Sequence, residues 1–210
     1  FTLPGVTALH GDVTDPACLQ LPDGLDAVFI ILSPDGHDAE AYRRTYLDGT
    51  RHVLAALNGQ SLRNVFWVSS SSVYGQEDGS LVDETSPANP VSATAQVLLQ
   101  SEEAVRDGAW PATIVRCSGL YGPGRLRLLR WVESGRPVQA EPPQWTNRLH
   151  VDDAAGILAF LLARVLAGDS LPAPEAEGAL DESRQVSARQ PEDRGFGFEL
   201  EGTQRAAVLR

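Results

Sequence analysis

The chain contains no lysine and no methionine; all 17 of its basic residues are arginine. Without lysine there is no ammonium whose pKa could be tuned for proton transfer, because an arginine guanidinium keeps its proton. Without methionine, the 210 residues are expected to be less than a complete translation product, with something preceding Phe1 or residues left out. The two cysteines, Cys18 and Cys117, are too few for a disulfide framework and fit a reduced, cytoplasmic compartment. No apolar run reaches the roughly 18 residues a membrane-spanning helix needs. The N-terminus lacks the charged-then-apolar pattern of a signal peptide. The four histidines, His10, His37, His52 and His150, show no metal-ligand spacing, so no metal is expected.

The formal net charge is −11 and the sequence pI about 4.7. An acidic surface repels phosphate backbones and anionic lipid, which argues against nucleic acid and membrane as partners. Its ordinary consequence is solubility. The apolar fraction of 42% and charged fraction of 21% are those of a soluble globular protein. The length suits one domain with a small appendage.

Residues 6–11 read as a short strand. Residues 26–32 (DAVFIIL) form a continuous apolar run of strand length, as expected for a parallel strand covered on both faces. The spacing of Tyr42, Tyr46, Gly49, Val53 and Leu57 predicts a helix over 39–57. Further strands are expected at 64–69 and 112–117, and a loop at 75–90, where turn formers and prolines gather. Helices are expected at 92–107, after the glycine-proline turn 119–124 (with Leu128, Leu129 and Val132), and at 151–166. In the last, Asp152 and Asp153 sit where the helix dipole favours anions. The pattern fails over 169–194, and 195–210 read as a short strand and a helix. Strands alternating with helices of these lengths predict a parallel sheet with right-handed crossovers.

Six motifs in order resemble the extended short-chain dehydrogenase/reductase superfamily, the group of NAD-dependent epimerases and dehydratases, in its atypical YeeZ-like branch. They are GDVTD (11–15), YRRTYLDGTRHVL (42–54), VSSSSVYG (68–75), DETSPANPVS (83–92), VRCSGLYGPGR (115–125) and NRLHVDDAAG (147–156). The resemblance implies an α/β, Rossmann-like doubly wound sheet with a small C-terminal substrate lobe. It places a core at 1–122 and the lobe region at 123–210. It also implies that Asp12, Val13, Leu32, Ser69 and Cys117 border a dinucleotide, with Ser70 (or Ser71, in another register) as the catalytic serine. Read from local chemistry alone, Asp12 is a turn former or cap, the serines close a strand, and Cys117 is a buried strand residue.

The departures from the family are as informative. Its catalytic tyrosine and the lysine four residues later fall at Thr94 and Leu98, and its helix asparagine falls at Tyr46. A threonine hydroxyl cannot replace a tuned phenol as acid, and leucine supplies no charge. Tyr46 reads as a packing residue. Tyr74 and Tyr121 are spare phenols, and only Tyr121 has a cation four residues on, Arg125, beyond a proline turn. On the substrate side the resemblance puts Gly119 in place of an asparagine and Thr146 in place of an arginine, with Arg125 and Arg148 as nearby cations. No GxGxxG pattern occurs, so the phosphate loop is expected to lie outside this chain, and these residues alone should bind dinucleotide weakly.

Two readings stay open. One is an NAD(P)-binding epimerase/dehydratase-like oxidoreductase with a degenerate tyrosine–lysine site, acting on a small molecule. The other is a non-catalytic Rossmann protein that senses a dinucleotide or binds a protein partner. NAD against NADP is open, as is the oligomeric state, with a homodimer among the options.

Overall fold

A computed structural model of the chain describes residues 5–135, 146–171 and 207–209. Three parallel strands form the centre: β1 (Ala27–Ile30), β2 (Asn64–Ser70) and β3 (Ala112–Cys117). A short strand, β6 (Ala207–Leu209), adds to β3 in the antiparallel sense, so the sheet order is β1-β2-β3-β6. A small second sheet pairs β4 (Gly119–Tyr121) in parallel with β5 (Arg148–His150).

The apolar runs read as strands are buried on both faces. Val65, Trp67 and Ile114 pack with Val53, Leu57, Leu98 and Val105 from the helices on one side. Phe66, Val115 and Cys117 pack with Ala154 and Leu161 of α5 (Val151–Leu166) on the other. Alternation along β2 and β3 thus feeds two cores, one per face, which is the doubly wound arrangement. Phe29 stacks on Phe66 within the second core, with ring centroids 4.6 Å apart.

The helix expected over 39–57 forms as α1 (Ala39–Tyr42), a π-helical stretch (Arg43–Asp48) and α2 (Gly49–Ala56). Asp38 caps it by accepting from the Ala41 N–H. The wider turn shifts the buried stripe, so Leu47 and Thr50 are enclosed while Tyr42 and Tyr46 are only partly so. Thr50 accepts the indole N–H of Trp67 at 2.9 Å. α3 (Ala93–Arg106) is capped by Ser92, whose Oγ accepts from the Ala95 N–H.

Three expectations need correction. Residues 6–11 form no strand; Val6 and Leu9 are exposed. A strand needs a ladder of backbone partners, and none of the described strands pairs with this segment. The sheet is mixed, not wholly parallel, because β6 runs against β3. The helix α4 (Arg127–Glu133) forms where expected, but Leu129 and Val132 on it are exposed, with nothing among the described residues packed over them. The irregular stretch 169–194 and the helix expected within 195–210 lie mostly outside the described residues.

Candidate functional site at the carboxyl edge of the sheet

The parallel register sets Ser70 beside Cys117 and Ser69 beside Arg116. Neighbouring pairs in a strand point to opposite faces, so the two serines part company. Ser69 turns towards α3 and donates to Oε1 of Glu102 at 2.5 Å. Ser70 sits at the strand end on the face of Cys117, and its Oγ accepts from the Ser72 N–H, opening a 3-10 turn over Ser71–Val73. Cys117 is buried, and burial pushes its thiol up. Leu32 lies two residues past the end of β1, half-buried against the first core.

Asp12 and Val13 lie in the segment before β1, with Val13 held against α2. Asp12 Oδ1 accepts from both the N–H and the hydroxyl of Thr14, and these bonds hold its carboxyl below the usual range. Oδ2 takes no such bond, and the residue is exposed. The Val13 carbonyl is tied to Nδ1 of His52 at 2.7 Å, and its side chain packs on Gly49 where any Cβ would collide with it.

Beneath the serines lies a buried charge network that sequence reasoning missed. Glu102, fully enclosed, accepts from Arg116 Nε at 2.9 Å and Nη2 at 2.6 Å, and from Arg106 Nη2 at 2.9 Å. Burial works against the Arg116 charge, but the bonds to Glu102 outweigh it and the net shift is upward. Its Cζ stands 4.8 Å over the Tyr74 ring. The signals were an arginine inside an apolar strand and a glutamate on the stripe Thr94, Leu98, Glu102.

The phenols are placed unequally. Tyr74 donates its hydroxyl to the Asp83 carbonyl at 2.7 Å, and burial raises it despite the Arg116 charge. Tyr46 meets Trp67 edge-on at 6.0 Å; burial and Tyr42 push its phenol up, with Arg125 only partly opposing. Tyr121 is more open and packs edge-on against His150 at 5.1 Å. Arg125 closes the turn after β4 by donating its N–H to the Gly122 carbonyl, and Thr146 is exposed just before β5. A shallow concavity lined by Arg63, Asn64, Arg106, Trp110 and Val165 lies at the other end of β2 and β3 and touches none of the site residues expected from the sequence.

Residues 2–172 match the NAD dependent epimerase/dehydratase family. The chain belongs to that family. It is 30% identical over 120 residues to protein YeeZ of Escherichia coli K12, covering 56% of this chain and 42% of that one. It is 27% identical over 181 residues to N-acetyl-alpha-D-glucosaminyl-diphospho-ditrans,octacis-undecaprenol 4-epimerase of Escherichia coli O157:H7, covering 79% and 54%. A solved NAD-dependent epimerase/dehydratase structure from Methylobacillus flagellatus superposes with a TM-score of 0.65 at 34% identity, covering 81% of this chain and 60% of that one. The chain thus spans about half the length of the curated relatives it matches.

In this epimerase/dehydratase family chain the helix expected to bear the acid and its cation is α3. Thr94 is half-buried near its start, its Oγ1 3.1 Å from that of Ser92. Leu98 is 4% exposed and belongs to the first core. Ser70 and Cys117 stand abreast at the strand ends, and Asp12 is exposed with one carboxyl oxygen outside the Thr14 bonds. Among the described residues no group of three or more metal-ligating side chains gathers, and no helix is long and apolar enough to cross a membrane.

Proposed function

We propose that this chain belongs to an NAD(P)-binding oxidoreductase of the epimerase/dehydratase kind whose usual tyrosine–lysine machinery is gone. A dinucleotide would lie along the carboxyl edge, bordered by Asp12, Val13, Leu32 and Cys117, and its nicotinamide would accept or donate a hydride; Ser69, expected there too, is enclosed and bonded to Glu102 on the other face. Ser70 would orient a hydroxyl or carbonyl of a small-molecule substrate. Gly119, Tyr121, Arg125, Thr146 and Arg148 would form the substrate side.

The observation that carries the proposal is the burial of Leu98. An enclosed leucine four residues after Thr94 means that α3 packs this position into the core and presents no cation at the edge. Neither Tyr74 nor Tyr46 is a ready substitute, since burial raises both phenols. Any hydride transfer therefore proceeds without the general acid–base assistance typically worth about 10²–10⁴ in rate.

The same burial favours a second reading, in which the fold reports dinucleotide binding, or docks a partner, without turnover. Fold alone does not choose between them. Titrating full-length protein with NADH and NADPH and following nucleotide fluorescence tests what the two readings share. Saturable binding of one or both is expected. Absence of binding to either would remove the dinucleotide from the account.

A further inference from the structure

We propose that His52 is a positioning residue of the dinucleotide site, acting on the Asp12 carboxylate through the one peptide unit between Val13 and Thr14. The inference rests on the reading that Asp12 and Val13 border the dinucleotide.

The segment 11–19 is folded largely by its own bonds. The Asp15 N–H donates to the Asp12 carbonyl, and the Asp15 carboxylate caps the turn Pro16–Cys18 through the Ala17 N–H. No described strand pairs with it. Among the described residues a single hydrogen bond ties 11–19 to the rest of the chain, the one between His52 and Val13, 39 positions apart. Val13 and Leu19 also pack on the first core, but apolar contact is non-directional and leaves the rotation of a peptide unset.

A carbonyl oxygen only accepts, so Nδ1 of half-buried His52 carries the proton it donates to Val13 at 2.7 Å. The N–H of that same peptide unit belongs to Thr14 and donates to Asp12 Oδ1 at 2.8 Å. The unit is planar, so fixing the direction of its carbonyl fixes the direction of its N–H. His52 thus acts on Asp12 through two hydrogen bonds and one rigid plane. Gly49, one turn before His52 on the same face of α2, receives the Val13 side chain. Its φ of −59° is ordinary helix and does not require glycine. Val13 does, because a Cβ there would lie 2.9 Å from Val13 Cγ2 and 3.1 Å from Val13 Cβ. Two positions on one helix face are therefore shaped to a single residue, one to its side chain and one to its carbonyl. Packing explains Gly49, but an apolar residue would fill the volume of His52 without the donor. A carboxylate held in advance spares the ligand the cost of ordering it.

The test is fluorescence titration of full-length protein with NADH, with amide exchange at Thr14 and Asp15 reporting the segment itself. His52→Leu keeps bulk and removes the donor. His52→Asn returns an amide N–H near the place of Nδ1. Gly49→Ala crowds Val13 while giving α2 a better helix former. The expected result is a loss of NADH affinity of about 3–10-fold in His52→Leu, the scale of one hydrogen bond, and a loss in the same direction in Gly49→Ala. Exchange at Thr14 and Asp15 should quicken in both, and His52→Asn should restore affinity and protection together. Should His52→Leu fail to fold, Gly49→Ala and His52→Asn carry the comparison. Wild-type NADH affinity in the variants that lose protection at Thr14 overturns the inference, as does a loss in His52→Leu that His52→Asn leaves unrepaired. If wild-type protein binds NADH and all three variants bind it equally, only this inference fails. If wild-type protein does not bind NADH, the dinucleotide reading fails and this inference falls with it.

Discussion

Ser69 and Glu102 meet at 2.5 Å beneath α3, while Ser70, one residue on, stands beside Cys117 on the other face of the sheet. The strand-end serine cluster therefore divides its labour. One hydroxyl is committed to a buried carboxylate that also holds Arg116 and Arg106, and the other is left at the open edge.

The Glu102–Arg116 pair is expected to behave as a buried ion pair. Glu102→Gln or Arg116→Met strands one partner and should cost about 3–5 kcal/mol in urea denaturation. The double change Glu102→Leu with Arg116→Met removes both charges and should recover most of that loss. Equal losses for the single and double variants would mean that the pair contributes through shape alone.

Restoring the family's residues should be costly before it is useful. Leu98→Lys puts an ammonium where 4% of the residue is exposed. Burial lowers a lysine pKa below its ordinary value of about 10.4, so the unfolded state binds more protons and stability rises with pH between the folded and unfolded values. Thermal melts of Thr94→Tyr with Leu98→Lys should show a deficit at neutral pH that shrinks in alkali. A pH-independent deficit would place the new charge in solvent.

Burial alone would raise the Asp83 carboxyl, but bonds from Thr85 and Ser86 outweigh it and hold the group below its ordinary 3.8. The stabilisation these bonds give is fully present above 3.8 and is lost as pH falls through the lower folded value. Amide exchange at Thr85 and Ser86 should accelerate only in that acid window. Asp83→Ala should make it fast at all pH values, and should loosen the loop that accepts the Tyr74 hydroxyl.

Gly75→Ala should destabilise by about 1–3 kcal/mol, because the added Cβ would overlap the Asn89 backbone carbonyl, which has no free end to swing aside. Urea denaturation checks it. A neutral effect would show that the loop around Asn89 yields.

The strands at 26–32, 64–69 and 112–117 were legible because continuous apolar runs of that length suit a sheet covered on both faces, and the helices at 92–107 and 151–166 because their apolar spacing matched 3.6. The positions of Thr94 and Leu98 followed from motif spacing. What was not legible required a partner. Residues 6–11 look like a strand, but no described strand supplies the ladder. The π stretch at Arg43–Asp48 moved the buried stripe from Tyr46 to Leu47, a displacement no fixed period anticipates. Arg116 and Glu102 each look like a misplaced charge until the fold sets one against the other.

The most direct test of the degenerate-site account is a single-turnover measurement. Full-length protein with bound NAD⁺ is mixed with a sugar-nucleotide substrate, and the appearance of reduced nicotinamide is followed by absorbance. The account predicts a rate at least about 100-fold below an ordinary family enzyme, changed little by Ser70→Ala. Hydride transfer at ordinary enzyme rates of about 1–10³ s⁻¹, abolished by Ser70→Ala, would contradict it and would send the search for an acid to Tyr121 and Tyr74.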